Sequence, residues 1–382
     1  MRLFKYVFAI TLIALCSCDR DTEFEGGGEE QEIIIPTGDY IFFDLERVTR
    51  GTSIVDYLRD EFSVLGYKYT GEWKSAKSQA TQNANGVFDT KPQKVTWNGT
   101  VHTYTPIKEW DVNSTYSFFA WYPHNLSANG GNSTINTHVG NPYITYSLGD
   151  DISDPSKHID VLTAYIVDQK VDLSISSTKS VALRMHHRLS KLNLVAASYV
   201  NAESVGLDKG VTANVKIAKL DLILDNLLYD GVKIPLNEDP NTTDATDKMV
   251  GTNARGSKTV TYSNLVTNKT LDYYNKNVGP TKLTEDKDIK NALFLIPQNE
   301  ALSCKAVVTY DIVDDNGSSL WDDIYEDVLN APDKTQEATI FIDKLESGVP
   351  YAIQLIFTKS GVTANVIQSL QWEDTNVNHE FE

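Results

Sequence analysis

The sequence predicts an all-β protein built from β-sandwiches. Apolar residues recur at every second position in residues 306–312 and 351–357, which is the period of a half-buried strand. Turn sequences such as Asp315-Asn316-Gly317 separate these runs. Many short strands divided by such turns are typical of sandwiches, and 382 residues are enough for two of them. We therefore expect two domains and no long helix.

Composition and charge exclude several classes of protein. Hydrophobic residues make up 41% of the chain and aromatic residues 10%, which fits neither a disordered chain nor one with many membrane spans. The 52 acidic residues outnumber the 34 basic ones, and the formal net charge is −18. Because such a charge repels phosphate backbones, we expect no nucleic-acid partner.

Further strands are predicted from β-branched and aromatic runs. Residues 211–224 change phase near Ala218 and Lys219, which predicts a bulge within one long strand. The polar stretches 74–87 and 236–259 predict exposed loops, and the Ser- and Thr-rich sequence near 168–185 predicts a domain boundary. The other candidate strands are residues 41–48, 116–122, 161–167, 181–185, 189–197, 292–296 and 338–342.

The N-terminus predicts export. Arg2 and Lys5 precede an apolar stretch, residues 6–15, that is too short to span a membrane, so residues 1–17 are interpreted as a signal peptide. The sequence around Cys16-Ser17-Cys18 resembles a lipobox, with Cys18 as the lipidated residue. The alternative is an ordinary signal peptide that ends in cysteine. Residues 18–38 form an acidic, Gly-rich tether, which is either an export signal or a flexible linker.

The sequence offers little support for catalysis, a cofactor or a metal. His186 and His187 point to opposite faces of a strand and cannot share one ion. The acidic cluster at Asp311, Asp314 and Asp315 makes calcium conceivable but lacks the calcium-loop register, so a solvated hairpin tip is favoured. Nucleophile-elbow, phosphate-loop and dinucleotide motifs do not occur in the sequence. Cys304 precedes an alternating run and is interpreted as a buried small hydrophobe.

A processing site is suggested by Val48-Thr49-Arg50-Gly51-Thr52. This polar segment lies between two apolar stretches and is suited to enter the active site of an Arg-specific protease, which would cut between Arg50 and Gly51. The alternative is an ordinary loop arginine.

Several motifs together resemble the fimbrillin-like (type V pilin) lipoprotein family of Gram-negative anaerobes. They keep the family's order and approximate spacing along nearly the whole chain. The motifs are Thr49-Arg50-Gly51, the run Phe62 to Tyr67, Trp97, Tyr104, Pro106, Trp110, the run Tyr116 to Pro123, the run His186 to Asn193, Leu295-Ile296-Pro297-Gln298, Phe341, Leu345, Gly348, Tyr351, Leu355, Phe357 and Trp372.

The resemblance implies two transthyretin-like β-sandwich domains in tandem, over residues 39–180 and 181–382. It also implies a lipoprotein whose N-terminal strand is removed after Arg50, so that a strand of an adjacent subunit fills the vacated groove by donor-strand exchange. The removed strand would contain Tyr40, Ile41, Phe42, Phe43, Leu45 and Val48.

The C-terminus departs from the family pattern, because the ten residues after Trp372 are mostly polar and form no apolar extension. Three alternatives follow: the last strand itself is the donor, the subunit accepts a strand without donating one and sits at a tip, or Arg50 is never cut and the chain stays anchored. The candidate donor residues are Val362, Ala364, Val366, Leu370 and Trp372.

The function predicted is that of a structural fimbrial subunit at the cell surface, anchored in the outer membrane before processing. Its expected partners are other fimbrial subunits, an Arg-specific maturation protease, outer-membrane lipid through the acylated cysteine, and a host or bacterial surface ligand. The rival is a lipid-anchored protein that does not polymerise and binds a glycan or host ligand. Trp110, Trp121 and Tyr122 are candidates to stack on a glycan, but strand-spaced aromatic residues are more often core.

Overall fold

The predicted strands form, and the chain is nearly all β. The computed structural model describes residues 40–46, 60–80, 86–89, 92–126, 133–137, 140–149, 152–154, 158–171, 180–208, 210–238, 250–262, 269–276, 278–284, 292–326, 328–329 and 331–368. Contacts group the described residues of Thr37–Glu382 into one unit. Since contacts do not divide this unit near residue 180, the tandem of two domains stays a prediction.

Twenty strands and three short helices account for the regular structure of the described residues. The helices are α1 (Trp73–Ala80), α2 (Ala202–Val205) and α3 (Trp321–Tyr325). The strands are β1 (Phe43–Glu46), β2 (Phe62–Tyr69), β3 (Gln93–Trp97), β4 (His102–Thr103), β5 (Thr115–Tyr122), β6 (Thr134–Asn136), β7 (Tyr143–Tyr146), β8 (Leu162–Gln169), β9 (Val181–Arg184), β10 (His186–His187), β11 (Ser190–Ser198), β12 (Asn214–Pro235), β13 (Val250–Thr261), β14 (Lys269–Leu271), β15 (Thr281–Lys282), β16 (Leu293–Leu295), β17 (Leu302–Val313), β18 (Thr335–Ile342), β19 (Pro350–Thr358) and β20 (Gly361–Gln368).

The described strands form four sheets. A six-stranded sheet has the order β10-β8-β5-β2-β3-β4, and β1 pairs with β9 in a separate ribbon. A five-stranded sheet has the order β15-β11-β19-β20, with β16 also on β11. A seven-stranded sheet has the order β18-β17-β12-β7-β6, with β13 and β14 also on β12. None of the helices in the described part of the chain has the length and apolar content needed to cross a bilayer.

Two apolar cores hold these sheets. The smaller core lies between the β1–β9 ribbon and one face of the six-stranded sheet, and it includes Phe43, Phe118 and Leu183. The opposite face of the six-stranded sheet, which carries Phe119 and Trp121, belongs to the larger core that the five- and seven-stranded sheets share. Both faces of the six-stranded sheet are therefore covered, which explains why β2 and β5 are apolar with little alternation.

The long strand with a bulge is confirmed. In β12 the pairing with β17 shifts register between Ile217 and Lys219, where the apolar phase of the sequence changes. Cys304 is completely buried in β17, and this burial raises the pKa of its thiol to about 12. It therefore packs as a small hydrophobe, as the sequence indicated.

Two of the predicted loops are wrong in part. Within the polar stretch 74–87 the structure has α1, because Trp73 and Ala76 are buried against the sheet while Lys74 and Ser75 face solvent. Within the stretch 236–259 it has most of β13, which pairs with β12 through three register shifts. The irregular pairing explains why β13 has no period-2 pattern in its sequence.

Asp168 anchors the start of α1 to β8. Its carboxylate accepts hydrogen bonds from the Trp73 backbone N–H at 2.7 Å and from the Tyr69 hydroxyl at 2.8 Å. Asp168→Ala is expected to lower the free energy of unfolding by about 1–3 kcal/mol, since the Trp73 N–H and the Tyr69 hydroxyl lose this acceptor. Asp168→Asn is the control, because its amide oxygen still accepts and Asn tolerates the φ of 58° at this position. Urea unfolding measures both variants, and equal losses would contradict the assigned role of the acceptor.

Gly66 is required by a close approach between β2 and the segment at residues 86–89. A Cβ atom at Gly66 would lie 2.8 Å from Cε2 of Phe88 and 2.9 Å from Cβ of Val87. Gly66→Ala is therefore expected to cost about 1–3 kcal/mol of stability by overpacking. Gly256→Ala is the matched control, because its Cβ would meet Tyr229 at an ordinary 3.4 Å. Thermal melting of the two variants tests the difference, and equal melting temperatures would contradict it.

Candidate assembly site

The segment that the resemblance marks for removal forms a paired strand. β1 runs parallel to β9, with Phe43 opposite Val181 and Glu46 opposite Arg184. An isolated bridge joins Tyr40 to Glu109 on the other side of the segment. Among the residues that are described, β9 is the one strand that pairs with β1. The segment is thus tied to the fold through a single strand and a few further contacts.

Alternate side chains of this segment enter the smaller core. Ile41 is completely buried and Phe43 is 3% exposed, whereas Asp44 faces solvent. The Phe43 ring lies 5.3 Å from the ring of Phe118, 5.8 Å from that of Tyr104 and 6.1 Å from that of Phe88, measured between centroids. Phe42 and Leu45 are half-buried.

Backbone hydrogen bonds fix the segment on both sides. The Val181 N–H donates to the Phe42 carbonyl at 2.6 Å, and the Ile41 N–H donates to the Lys108 carbonyl at 2.7 Å. The buried Tyr104 hydroxyl donates to the Ile41 carbonyl at 2.8 Å, and burial raises the pKa of Tyr104 to about 12. Tyr104 therefore remains a hydrogen-bond donor at any physiological pH.

Removal of the segment would uncover an apolar groove. Its walls would be Phe88, Tyr104 and Phe118 from one layer and Val181 and Leu183 from β9. The Val181 N–H and the Tyr104 hydroxyl would lose the acceptors that they have now. A groove that combines apolar walls with unpaired strand groups is suited to accept another extended segment.

The processing and lipidation residues are not placed by the structure. Cys18, Val48, Arg50 and Gly51 lie outside the described residues. β1 ends at Glu46, four positions before Arg50, and the description resumes at Asp60. Their roles therefore stay predictions.

The candidate donor strand is part of its own sheet. β20 pairs antiparallel with β19 from Gly361 opposite Thr358 to Gln368 opposite Tyr351, and it is the edge strand of the five-stranded sheet. Val362 is buried, and Ala364 and Val366 pack against the larger core. Leu370 and Trp372 lie outside the described residues. In the isolated chain the described part of this segment thus completes the chain's own fold.

The aromatic residues considered for a glycan have structural roles. Trp121 is completely buried in the larger core, and Trp110 packs against the smaller core with its ring 4.8 Å from that of Tyr116. Tyr122 donates a hydrogen bond from its hydroxyl to Asp60 at 2.9 Å. The preference for a core role is confirmed for Trp121.

The histidine pair and the acidic cluster are also explained structurally. His187 is buried and its Nδ1 lies 2.6 Å from Oδ2 of Asp160, whereas His186 is half-buried on the opposite face. Asp314 closes the turn after β17, with its carboxylate accepting from the N–H groups of Asn316 and Ser318. The hairpin tip is confirmed. Among the described residues no cluster of three or more metal-ligating side chains occurs.

Sequence reasoning missed the partners of the N-terminal strand. Tyr104 and the parallel alignment of β1 with β9 create the groove, and neither follows from periodicity, because β9 is more than 130 positions away along the chain. In the sequence, Tyr104 is distinguished only as one of the motifs that resemble the family.

The sequence comparison finds one family model that matches part of the chain. Residues 49–223 match the protein-family model described as fimbrillin-like. The fimbrillin-like resemblance is confirmed. The matched segment is just under half of the chain, and its resemblance is to fimbrial proteins rather than to enzymes. The fimbrillin-like segment begins at residue 49, after the end of β1.

One solved structure agrees with the fold of this chain. A fimbrial protein from Bacteroides vulgatus is 17% identical, with a TM-score of 0.55 over 86% of this chain and 98% of that one. A candidate cell adhesion protein from Bacteroides uniformis is 13% identical, with a TM-score of 0.43 over 87% and 99% of the two chains. One from Bacteroides ovatus is 13% identical, with a TM-score of 0.42 over 87% and 96%. Among curated proteins the sequence has no significant match.

Proposed function

We propose that this chain is a structural subunit of a cell-surface fimbria that matures by loss of its N-terminal strand. It is exported as a lipoprotein through Cys18, cut between Arg50 and Gly51 by an Arg-specific protease, and joined to the next subunit by a strand that enters the vacated groove. The observation that carries the proposal is that the segment formed by residues 40–46 buries Ile41 and Phe43, while its strand β1 pairs with one strand, β9.

The position of β1 supports removal by a single cut. The strand ends at Glu46, so cleavage after Arg50 would release it whole. The family match begins at residue 49, so β1 lies outside the matched segment. A segment that is held through one strand partner can leave with few broken backbone pairings.

The energetics favour replacement over an empty groove. Burial of an isoleucine or phenylalanine side chain contributes about 1.5–3 kcal/mol each, and this contribution is lost when β1 leaves. The Val181 N–H and the Tyr104 hydroxyl also lose their acceptors, at a cost of about 1–3 kcal/mol for each that stays buried. A strand from another subunit restores both contributions, which is β-augmentation.

Two roles of β20 are compatible with the fold. In a stalk subunit, β20 with the residues after it separates from β19 and enters a neighbour, and the neighbour's contacts replace those that β20 loses. In a tip subunit, β20 stays in its own sheet and the chain only accepts a strand. The integration of β20 with β19 over its whole length favours the second form.

Arg50→Ala tests the proposal directly. The wild-type chain treated with an Arg-specific protease should begin at Gly51, and it should form SDS-resistant ladders if it is a stalk subunit. Arg50→Ala should block both the cleavage and the formation of ladders. Arg47→Ala is the matched control, because it removes a nearby arginine and should leave cleavage and ladder formation unchanged. Ladders that persist in Arg50→Ala would overturn the proposed maturation.

The remaining outcomes separate the alternatives. Clean cleavage without ladders identifies a subunit that accepts a strand without donating one. A chain isolated from cells with its acylated Cys18 and an intact Arg50-Gly51 bond would instead support the rival, a lipid-anchored surface protein that does not polymerise. Determination of the N-terminal residue of the protein from cells distinguishes these cases.

A further inference from the structure

Three tyrosines meet at the end of β11. Tyr199 follows the last residue of β11, and its N–H donates to the carbonyl of Phe357 in β19 at 2.8 Å. Tyr273 and Tyr274 follow β14, and the Tyr274 N–H donates to the Ser198 carbonyl at 2.7 Å. A parallel bridge joins Ser198 to Tyr273. The backbone of two different segments therefore fixes the three side chains side by side.

The rings form a partly exposed aromatic surface. The centroid of Tyr199 lies 5.3 Å from that of Tyr274 and 6.2 Å from that of Tyr273, with interplanar angles of 42° and 81°. Tyr273 is 48% exposed, and Tyr199 and Tyr274 are half-buried. An exposed ring supported edge-on by a second ring is a rigid contact surface, since the neighbour limits its rotation.

The surroundings of the rings are polar and mixed in charge. Asp272, Asn275 and Lys276 are exposed on the same segment. Burial, together with the two neighbouring phenols, raises the pKa of Tyr199, so its hydroxyl stays protonated and able to donate. The surface thus combines apolar ring faces with hydroxyl, carboxylate and amide groups.

We propose that Tyr199, Tyr273 and Tyr274 form a binding site for a neutral sugar. A pyranose presents an apolar C–H face and a rim of hydroxyl groups, and these two features match an exposed phenol ring flanked by hydrogen-bonding side chains. The net charge of −18 disfavours sialylated, sulfated or phosphorylated ligands, and the exposed charges of Asp272 and Lys276 on the same segment offset each other. The site lies outside the groove described above, so this proposal does not depend on cleavage or polymerisation.

The size of the surface favours a small ligand over a protein. A stable protein interface buries about 800 Å² on each partner, whereas one fully buried aromatic side chain covers about 150–250 Å². Tyr273 is about half exposed, and Tyr199 and Tyr274 are less exposed than Tyr273, so the three rings, which charged residues interrupt, offer less than that area. One or two sugar rings fit such a surface.

Titration of the full chain with neutral disaccharides tests the proposal. The probes are maltose, cellobiose, lactose, mannobiose and diacetylchitobiose, with sialyllactose for comparison, measured by saturation-transfer NMR and calorimetry. At least one neutral disaccharide should bind, and Tyr273→Ala should weaken it by about tenfold or more. Tyr273→Phe should weaken it less, because the ring that stacks remains. Phe341→Ala is the matched control, since Phe341 is 68% exposed on β18 and should not affect binding.

Four results would overturn the proposal. In the first, none of the neutral probes binds, and in the second, binding survives both Tyr273→Ala and Tyr199→Ala. In the third, sialyllactose binds more tightly than the neutral probes. In the fourth, Tyr273→Ala loses self-association while sugar binding is unchanged. The last would assign the surface to a second copy of the chain. Circular dichroism of each variant verifies folding, and Tyr273→Ala is expected to fold because the side chain is half exposed.

Discussion

Phe43→Ala is expected to lower the free energy of unfolding of the unprocessed chain by about 3–5 kcal/mol. The ring is 3% exposed and contacts Phe88, Tyr104 and Phe118, so its removal leaves a cavity between two layers. The same substitution should have no effect once cleavage after Arg50 has removed the strand that carries it.

Urea unfolding of the unprocessed and protease-treated chains measures both halves of this prediction. Phe341→Ala is the control for loss of an aromatic side chain from an exposed site, and it should change stability by no more than about 0.5 kcal/mol. A loss below about 1 kcal/mol in the unprocessed Phe43→Ala chain would mean that β1 does not hold this place in solution. A difference that persists after cleavage would mean that the cut segment stays bound.

Asp160→Ala is expected to lower the free energy of unfolding by about 3 kcal/mol. Asp160 and His187 are both buried, and the carboxylate lies 2.6 Å from Nδ1 of the imidazole. Loss of the carboxylate deprives a buried polar ring of this partner. The pair also lies where the six-stranded sheet continues into β11, since β10 pairs with β8 and the Arg188 N–H donates to the Val161 carbonyl at 2.8 Å.

Two controls accompany Asp160→Ala. Asp160→Asn keeps the shape and one acceptor oxygen and should cost less than Asp160→Ala. Asp333→Ala removes an exposed carboxylate and should be within about 0.5 kcal/mol of wild type. Thermal and urea unfolding compare the three variants, and an Asp160→Ala chain as stable as the Asp333→Ala chain would contradict the role of the buried pair.

The local pattern of apolar residues in the sequence predicted much of the fold. β17 has alternate residues in a core, so its apolar period is visible in the sequence. The phase change at Ala218 revealed the bulge of β12 for the same reason. α1 and β13 were missed because other segments specify them: Asp168, about 95 positions away, anchors α1, and three register shifts remove the period from β13.

The assembly site was predictable only in its outline. The apolar residues of β1 and the nearby arginine are visible in the sequence, and the family resemblance connects them. The pairing of β1 with β9 and the hydrogen bond from Tyr104 depend on chain segments about 60 to 140 positions apart. The periodicity of apolar residues within one segment does not reveal such contacts. The tyrosine surface at Tyr199 was missed for the same reason, because Tyr273 and Tyr274 approach it from a distant strand.

Hydrogen exchange at the Val181 amide tests the replacement of β1 by a strand of another subunit. In the unprocessed chain this amide donates to the Phe42 carbonyl and should be protected. It should exchange quickly in the cleaved monomer and become protected again in the assembled polymer, where an incoming strand supplies a new acceptor. A Val181 amide that exchanges at the same rate before and after cleavage, or that stays unprotected in the polymer, would contradict the account.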